Sequence, residues 1–597
     1  MTDAHRNRRI RWLALGMVGV FLAILARLFQ IQQVEPESFS ARGDQFRTQL
    51  AERIRRGTIV DRRGRELAIS TYAYSLYVDP SYYRQLLRLG RFTSEELAQR
   101  KATLARILSE VLNVPLSEVA SRLDSPRAFE WVRRWVDYET LEALEDRLRQ
   151  VHLGWWPRSA LDYRIEERRV YPRGSLAAHL IGYTNVDGKG LDGLERRYDQ
   201  LLRSQEVARR ALKDGRGRVL DPQALAEEPP EFTVQLTTTL DERIQFFLEE
   251  ELEAACQKTR AAGGVGIVMN PRTGAVLALA NHPAFDLNAY NDPKIPTAVR
   301  RNRAIWWPYE PGSVFKVFTL AALLEEGRVR LDEPIFCENG LYQPHPRLRP
   351  IRDVHPAGWL SFEEVIVQSS NIGVLKVTSE RLPLDRFREY LIRFGLDQKT
   401  GIDLPYERTG SLAALRDPSG YALYYAPWGQ GISVTPLQLL VGVNALANDG
   451  VLMKPYVVAA ASDPSGRRLW EASPTPIGRA VRPETARRVV QVMRRVVEEG
   501  TGRAAQLPGL SVAGKTGTSQ KVSPQGGYER DAFVASFVGF FPAEDPRYSI
   551  LIVIDEPQGE HYGGRVAAPV FRRVAERILQ YERLEAGLAS AGEHEDL

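Results

Sequence analysis

The sequence predicts an α+β protein with one N-terminal membrane-spanning helix and two domains beyond it. Its 597 residues are too many for one compact core and suit two or three domains at about 150 residues each. Short alternating stretches typical of strands are interspersed with runs of helical periodicity, and there is no internal repeat. At 44% hydrophobic and 26% charged residues, the composition excludes collagen-like, largely disordered and multi-spanning membrane proteins.

Charge and cysteine content exclude further classes. The 80 basic and 75 acidic residues leave a net charge of +5, spread thinly, which does not indicate a nucleic-acid partner. Cys256 and Cys337 form neither a disulfide framework nor a CxxC pair, so zinc ribbons and thiol-redox enzymes are excluded. Only 11 of the basic residues are lysines, so a lysine inside a chemical motif is informative.

The N-terminus predicts a membrane anchor. A basic segment precedes an uncharged apolar run over residues 12–26, and the pattern continues past Arg27. Taken as one span, residues 12–34 are long enough to cross a bilayer, with Arg27 able to snorkel. A cleaved signal peptide fits the same start, but no small-x-small cleavage site follows. The basic tail, residues 1–11, is expected in the cytoplasm and the body outside it.

The predicted span also offers a surface for a membrane partner. Small residues at positions 14, 16, 19, 23 and 26 permit close approach of a second helix. A charge at Arg27 is costly inside an apolar span unless it reaches the headgroups or meets a polar partner. Both interpretations of Arg27 remain open.

The body is predicted to contain a smaller mixed α/β domain over residues 36–220 and a larger α+β domain over residues 232–582. The Pro-, Ala- and Glu-rich residues 221–231 are typical of a linker. In the smaller domain, turns and short strands are expected at 54–64, and mostly helix at 94–150.

In the larger domain, the order of elements is predicted from periodicity and turn residues. These elements are a helix at 241–255, a hairpin at 264–280 that turns at Asn270-Pro271, strands at 532–541 and 548–554, and a helix at 569–581. The acidic tail, residues 583–597, is expected to be flexible.

The first candidate chemical motif lies at a predicted helix start. Ser313 follows Pro311-Gly312, and Lys316, one turn later, shares its helix face. A lysine whose pKa is lowered by burial can act as the base for a serine nucleophile, and a helix start supplies N–H groups to an oxyanion. The alternative is that Ser313 only caps the helix and Lys316 is solvated.

Two further motifs follow. Ser369-Ser370-Asn371 can direct a hydroxyl and an amide into one cleft, although an ordinary polar turn is the alternative. Lys515-Thr516-Gly517-Thr518 follows a strand pattern, which suits a substrate carboxylate because glycine allows close backbone approach. A Lys-Thr-Gly triplet is expected by chance roughly 0.1 times or less in a chain with so few lysines. Together, in this order, the three motifs indicate one site.

These motifs resemble those of the serine penicillin-recognising enzymes, the penicillin-binding proteins and serine β-lactamases. The resemblance to class B penicillin-binding proteins covers about residues 10–580 and includes the anchor and pedestal. It is carried by segments 56–64, 171–179, 302–304, 309–311, 429–431 and 434–438.

The resemblance implies a monofunctional peptidoglycan D,D-transpeptidase. Residues 36–220 would form its pedestal (dimerisation) domain, and residues 232–582 a β-lactamase-like penicillin-binding domain, an antiparallel sheet flanked by helices. In this family, Ser313 would attack the D-Ala-D-Ala carbonyl of a stem peptide after Lys316 removes its proton. Ser369 would relay the proton to the leaving D-Ala, and Asn371 would hold the peptide amide.

The same resemblance assigns the third motif to substrate binding. Lys515, Thr516 and Thr518 would bind the terminal carboxylate of the donor, with Gly517 between the threonines. The backbone N–H groups of Ser313 and Thr518 would form the oxyanion hole. No cofactor or metal is implied. Asp353, His355 and Cys337 fit no zinc spacing and are expected to serve loop packing.

Segments 351–355, 369–374 and 561–571 are similar to the division (septal) type, and no cysteine lies just before Ser369, where some elongation enzymes carry one. The expected partners are stem peptides, β-lactams, the membrane, a lipid II glycosyltransferase and other division proteins. The elongation type is the first alternative. A penicillin-sensing receptor would need an effector beyond the short segment 1–11, and a β-lactamase would not need a tethered pedestal.

Overall fold

The computed structural model describes residues 3–29, 47–151, 161–212, 232–417, 419–523 and 525–592. Contacts divide the chain into two units, Met1–Arg55 with Ser204–Thr233 and Arg56–Arg203 with Val234–Leu597. The predicted linker, residues 221–231, lies outside the described residues.

The first unit contains the N-terminal helix and one strand pair. The helix spans Asp3–Phe29, and its apolar side chains from Trp12 onward are exposed. Residues 30–34 of the predicted anchor lie outside the described residues. Within the described ranges, we find no helix whose length and apolar character suffice to cross a membrane. Strand β1 pairs antiparallel with β6, with Ile54 opposite Gln205.

Twenty strands are assigned in the described part of the chain. They are β1 (Arg47–Ile54), β2 (Thr58–Val60), β3 (Glu66–Val78), β4 (Glu130–Val136), β5 (Leu161–Val170), β6 (Gln205–Leu212), β7 (Gln235–Thr238), β8 (Gly263–Met269), β9 (Val276–His282), β10 (Pro334–Phe336), β11 (Leu341–Tyr342), β12 (Ile351–Arg352), β13 (Trp359–Ser361), β14 (Val451–Met453), β15 (Val458–Ser462), β16 (Arg468–Glu471), β17 (Pro476–Arg479), β18 (Ala513–Val522), β19 (Tyr528–Phe541) and β20 (Tyr548–Asp555).

The α-helices that follow the N-terminal helix all lie in the second unit. In chain order they are Pro80–Arg88, Ser94–Leu112, Leu116–Leu123, Tyr138–Gln150, Ala178–Ile181, Gly193–Arg197, Asp199–Leu202, Glu242–Thr259, Arg303–Trp306, Lys316–Glu325, Phe362–Val367, Asn371–Arg381, Leu384–Arg393, Pro436–Ala447, Pro483–Glu498, Gly563–Val566 and Ala568–Gly592.

The larger domain, residues 232–582, is called the catalytic region after the role that the resemblance implies. Its central sheet has five strands in the order β18-β19-β20-β8-β9, all antiparallel. This confirms the predicted antiparallel sheet. Strand β20 is buried along its whole length, and its alternating side chains face different cores. Leu551 shares a core with Phe318, whereas Ile550 shares the second core with Leu248 and Phe571. Helices therefore flank both faces, as predicted from the resemblance.

A second sheet joins the pedestal residues to the catalytic region. Its strand order is β16-β15-β7-β2-β3-β4, and β5 pairs with β3. Strands β2 and β7 pair in parallel with Ile59 opposite Leu236, and Thr238 Oγ1 donates to Val60 O over 2.9 Å. A Cβ at Gly57 would lie 2.3 Å from Val234 O, so only glycine fits beside this pair. Through this pairing, strands from the predicted smaller domain and strands from the predicted larger domain form a single sheet.

A buried ion network holds the start of β2. Arg56, which is 1% exposed, donates through Nε to Glu195 Oε2 over 2.7 Å and through Nη1 to Asp199 Oδ1 over 2.8 Å. Arg169 Nε donates to Glu195 Oε1 over 2.6 Å. Glu195 is fully buried, so both guanidinium groups compensate its charge.

Segment 171–179, which the resemblance places in the pedestal, is bound to the catalytic region. Ala177 N donates to Glu249 Oε1 over 2.8 Å, and His179 Nε2 lies 2.7 Å from Val299 O. Burial lowers the pKa of His179 to about 4, so this ring is neutral at physiological pH. These contacts join the pedestal to the catalytic region independently of the shared sheet.

Two stretches differ from the sequence prediction. Residues 94–150 are mostly helical as predicted, with three helices, but they also contain strand β4, where Val132 and Val136 are buried and Val136 lies opposite Tyr74 of β3. This strand was missed because four-residue spacing of buried valines fits a helix as well as a strand. The last helix continues past Tyr581 to Gly592, and residues 593–597 of the predicted tail lie outside the described residues.

Candidate active site

Ser313 lies in a single 3-10 turn, Gly312–Phe315, that leads directly into helix Lys316–Glu325. Gly312 has φ +60, donates its N–H to Gly429 O over 3.1 Å, and leaves no room for a Cβ, which would lie 2.6 Å from Thr518 O. Only glycine is unstrained at that φ and fits this approach. The turn therefore places half-buried Ser313 beside strand β18.

Lys316 is fully buried and reaches the second motif. Its Nζ donates to Ser369 O over 2.6 Å, to Ser369 Oγ over 3.2 Å and to Asn371 Oδ1 over 2.7 Å. Burial lowers the pKa of Lys316 to about 7, partly opposed by the Asp353 carboxylate. A substantial fraction of this amine is therefore neutral near pH 7 and able to accept a proton.

Asp353 fixes the loop that carries Ser369. Its carboxylate accepts from Asn371 N over 2.6 Å, from Ile372 N over 3.2 Å and from Ser370 Oγ over 2.5 Å. Ser370 in turn caps helix Asn371–Arg381 by accepting from Gly373 N. Ser369 has φ +62, an uncommon conformation for a residue with a side chain, which this cap supports. From its sequence context, Asp353 is expected only to serve loop packing, so this role was not predicted.

Lys515 meets the same serine from strand β18. Its Nζ donates to Ser369 Oγ over 2.9 Å and to Thr516 O over 3.2 Å. Burial lowers the pKa of Lys515 well below its ordinary value, and the nearby Lys316 ammonium lowers it further. Ser369 Oγ thus lies between two buried amines, whose mutual repulsion favours the neutral form of one of them.

The two threonines of the third motif have partners outside the motif. Thr516 Oγ1 lies 2.7 Å from Thr501 Oγ1, and Gly563 N donates to Thr518 Oγ1 over 3.0 Å. A Cβ at Gly517 would lie 2.3 Å from Ser536 Oγ and 2.9 Å from the backbone oxygen of Pro311, so this position favours glycine. Thr501 and Gly563 were not predicted as site residues, because their signal is spatial proximity between distant segments.

Five of the eight predicted site residues form one hydrogen-bonded network, namely Lys316, Ser369, Asn371, Lys515 and Thr516. Ser313, Gly517 and Thr518 adjoin the network through the close approach of the Gly312 turn to β18. Among the described contacts, no hydrogen bond joins Ser313 Oγ to Lys316 Nζ. The described residues also contain no cluster of His, Cys, Asp and Glu side chains that could hold a metal ion.

A serine at a helix start beside an amine that is partly neutral at pH 7 is suited to nucleophilic attack on a carbonyl. A second buried amine and two threonine hydroxyls on the adjacent strand are suited to binding an anion. The arrangement fits acyl transfer from a substrate that carries a carboxylate.

Comparison with known proteins identifies the family. Residues 264–576 match the family model of the penicillin binding protein transpeptidase domain, and residues 52–236 match that of the penicillin-binding protein dimerisation domain.

Curated relatives match nearly the whole chain. Stage V sporulation protein D of Bacillus subtilis (strain 168) is 33% identical over 94% of this chain and 84% of its own length. Peptidoglycan D,D-transpeptidase FtsI of Escherichia coli (strain K12) is 31% identical over 99% of this chain and 95% of its own. The probable peptidoglycan D,D-transpeptidase PenA of Neisseria gonorrhoeae is 32% identical over 95% and 92%.

Solved structures agree. Penicillin binding protein 3 of Mycobacterium tuberculosis complexed with aztreonam superposes with a TM-score of 0.65 at 28% identity, covering 89% of this chain and 97% of that one. The two matched domains, the full-length relatives and this superposition lead to one assignment. The chain belongs to the class B penicillin-binding proteins, which pair a dimerisation domain with a penicillin-binding transpeptidase domain.

Proposed function

We propose that this chain is a septal peptidoglycan D,D-transpeptidase that works through an acyl-enzyme on Ser313. The observation that carries the catalytic part is the buried amine of Lys316, with a pKa of about 7, one helical turn after the serine. Similarity to proteins named peptidoglycan D,D-transpeptidase supports the substrate class.

Acylation uses the first two motifs. Neutral Lys316 takes the proton of Ser313 Oγ, which attacks the carbonyl between the two D-Ala residues of a donor stem peptide. The C–N bond breaks, and the departing amine of D-Ala receives a proton through Ser369, whose hydroxyl is hydrogen-bonded to Lys316. In this proposal the side chain of Asn371, whose backbone N–H donates to Asp353, binds the peptide amide of the donor.

Strand β18 binds the donor carboxylate in this proposal. Lys515 supplies the charge, and the hydroxyls of Thr516 and Thr518 donate hydrogen bonds. The N–H groups of Ser313 and Thr518 stabilise the oxyanion. An amine from a neighbouring stem peptide then attacks the Ser313 ester, which forms the cross-link and releases the free serine.

Penicillin labelling tests this assignment directly. Fluorescent penicillin should label the wild-type chain on Ser313, and Ser313→Ala should abolish the label. Ser473→Ala, a matched change at an exposed serine, should label normally. Peptide mapping identifies the site, and an adduct on Ser369 or Ser519 would overturn the assignment.

The septal role is supported by segments 351–355, 369–374 and 561–571, which are similar to the division type. Blocking the enzyme in its own cells should therefore give filaments that elongate without dividing. Loss of rod shape with continued division would favour the elongation type instead.

We also propose that residues 12–34 anchor the chain in the cytoplasmic membrane and contact a glycosyltransferase of the division machinery. The apolar run supports the anchor, and the small residues with Arg27 support a helix contact. Replacing residues 12–34 by an unrelated span should abolish division activity but retain penicillin labelling. Full division activity after the swap would reduce the segment to a tether.

A further inference from the structure

A cavity of about 450 Å³ lies beside the candidate active site and is used by none of the proposed steps. Its walls come from four segments of the chain and from Val534 of β19. They include Trp307 and Glu310 ahead of the nucleophile turn, Gly431 and Ser433, and Gln520 and Val522 at the end of β18. Since β18 carries the third motif at residues 515–518, the cavity adjoins the part of this strand that follows the motif.

The position of the cavity relates it to a donor peptide. Strand β18 is an edge strand, so an extended peptide can add to it by main-chain hydrogen bonds. In the proposed function, the terminal carboxylate of the donor lies at residues 515–518 and its reacting carbonyl at the N–H of Thr518. The donor residues that precede D-Ala-D-Ala then run along residues 519–522. At about 3.3 Å per residue, the side chain that precedes D-Ala-D-Ala reaches the cavity.

The charged residues that line the cavity indicate what kind of ligand it can bind. Glu310 accepts from Gly431 N over 3.0 Å and from Tyr528 OH over 3.0 Å, and no cation of the described residues is paired with it. Burial raises the pKa of this carboxyl group, as expected for a carboxylate that lacks a counter-ion. Lys521, the other charged lining residue, is already paired with Asp555 and Glu556.

The backbone of Glu310 is fixed relative to β18. Ser519 Oγ, one residue after Thr518, donates to Glu310 O over 2.7 Å. Because Gly431 N and Tyr528 OH also donate to the carboxylate, the Glu310 side chain has a defined place beside β18 and can discriminate among side chains at one position of the donor.

We propose that this cavity is a specificity subsite in which Glu310 binds the side-chain ammonium of the donor residue that precedes D-Ala-D-Ala. This inference rests on the proposed function and extends it to the substrate. An acceptor stem peptide must carry a free amine, and a donor strand of the same polymer that has not been cross-linked carries the same group. The ammonium supplies the counter-charge that Glu310 lacks.

The test compares three donors of the form acetyl-X-D-Ala-D-Ala, in which X is L-lysine, L-norleucine or Nε-acetyl-lysine. D-Ala release gives kcat/KM for each. The wild-type enzyme should prefer the lysine donor to both neutral donors by about tenfold, a typical effect of one hydrogen bond to a charged group. The acetylated donor keeps the length of the side chain and removes only its charge.

Two variants test whether Glu310 causes the preference for the lysine donor. Glu310→Gln should reduce the lysine-to-norleucine ratio to about one, whereas Glu529→Gln, a matched loss of a carboxylate that does not line the cavity, should keep the ratio near tenfold.

The outcomes are distinguishable. A wild-type ratio near one, or an unchanged ratio in Glu310→Gln, overturns the subsite even if the variant folds poorly, because the three donors also test the wild-type enzyme alone. Absence of both D-Ala release and penicillin labelling in the wild-type chain overturns the proposed function itself.

Discussion

At the scale of single residues, the site is distinguished by two lysines whose amines both donate to Ser369 Oγ. Both are fully buried, and burial destabilises the ammonium form of each. Lys316 also donates to Asn371, whereas Lys515 also donates to Thr516. One amine thus comes from the helix that follows the Ser313 turn and the other from strand β18, an arrangement that suits a base on one side and a cation that binds an anion on the other.

The pKa of Lys316 predicts the pH dependence of acylation. Its folded-state pKa of about 7 lies below the ordinary lysine value, so the neutral base accumulates as pH rises through 7. The second-order rate constant for benzylpenicillin should therefore rise about tenfold per pH unit below 7 and level off above it. Stopped-flow acylation between pH 5 and 9 measures the profile.

A variant identifies the titrating group. Lys316→Ala should acylate more slowly by a factor of about 10²–10⁴ and lose the inflection near pH 7. An inflection that persists in this variant would assign the pH dependence to another group.

The hydroxyl pair of Thr501 and Thr516 leads to a second prediction. Thr516→Val should weaken acylation by carboxylate-bearing β-lactams by about 1.5–3 kcal/mol, because a hydrogen bond to a charged group is lost. Thr501→Val should slow the reaction by a smaller factor, since it only frees the Thr516 hydroxyl to rotate. Thr501→Ser should restore the rate.

A double-mutant cycle tests whether Thr501 acts through Thr516. In the Thr516→Val background, Thr501→Val should have no further effect on the acylation rate. Additive losses would contradict a positioning role and indicate a general structural effect.

Residue identity was largely predictable at this scale and residue contacts were not. The three motifs named both lysines whose amines donate to Ser369 Oγ, because rare lysines at fixed spacing carry a local signal. The motif residues also form hydrogen bonds with partners 15 to 45 residues away in the sequence, namely Asp353, Thr501 and Gly563. A single sequence contains no signal for such contacts.

At the scale of elements, the start of β2 depends on the buried Arg56 and Glu195. Arg56→Met should lower the free energy of unfolding by about 3 kcal/mol, the lower end for a broken buried pair, since Arg169 still compensates Glu195. Urea unfolding measures the loss. Arg127→Met, which removes an exposed arginine paired with Glu130, should cost less than about 1 kcal/mol. Equal losses in the two variants would contradict this account.

Elements with a strong periodicity were predicted well, and short elements were not. The hairpin of β8 and β9 forms around Asn270 as predicted, because a turn signal separates two apolar runs. Strand β4 was assigned to a helical stretch because its seven residues lie between two helices and gain their stability from pairing with β3. Tertiary pairing of this kind overrides local pattern.

At the scale of the whole molecule, the pedestal and the catalytic region share both a sheet and a hydrophobic core. Leu180 and Leu194 belong to the same core as Phe318 of the catalytic helix. The predicted linker at residues 221–231 separates the two domains along the chain. Strand β2, which precedes the linker, nevertheless pairs with β7, which follows it. A linear sequence does not contain that pairing.

This shared sheet predicts that the catalytic region depends on the pedestal. A chain of residues 234–592 would expose the edge of β7 and the buried side chains beneath it, and unpaired apolar edges promote aggregation. The chain of residues 234–592 should melt at a lower temperature than a chain of residues 47–592, which retains β1 to β6. The shorter chain should also label weakly with fluorescent penicillin. Thermal unfolding and labelling of the two chains, side by side, make the comparison. Equal melting temperatures and equal labelling would show that the catalytic sheet is stable without β2, and that the pedestal contributes only position.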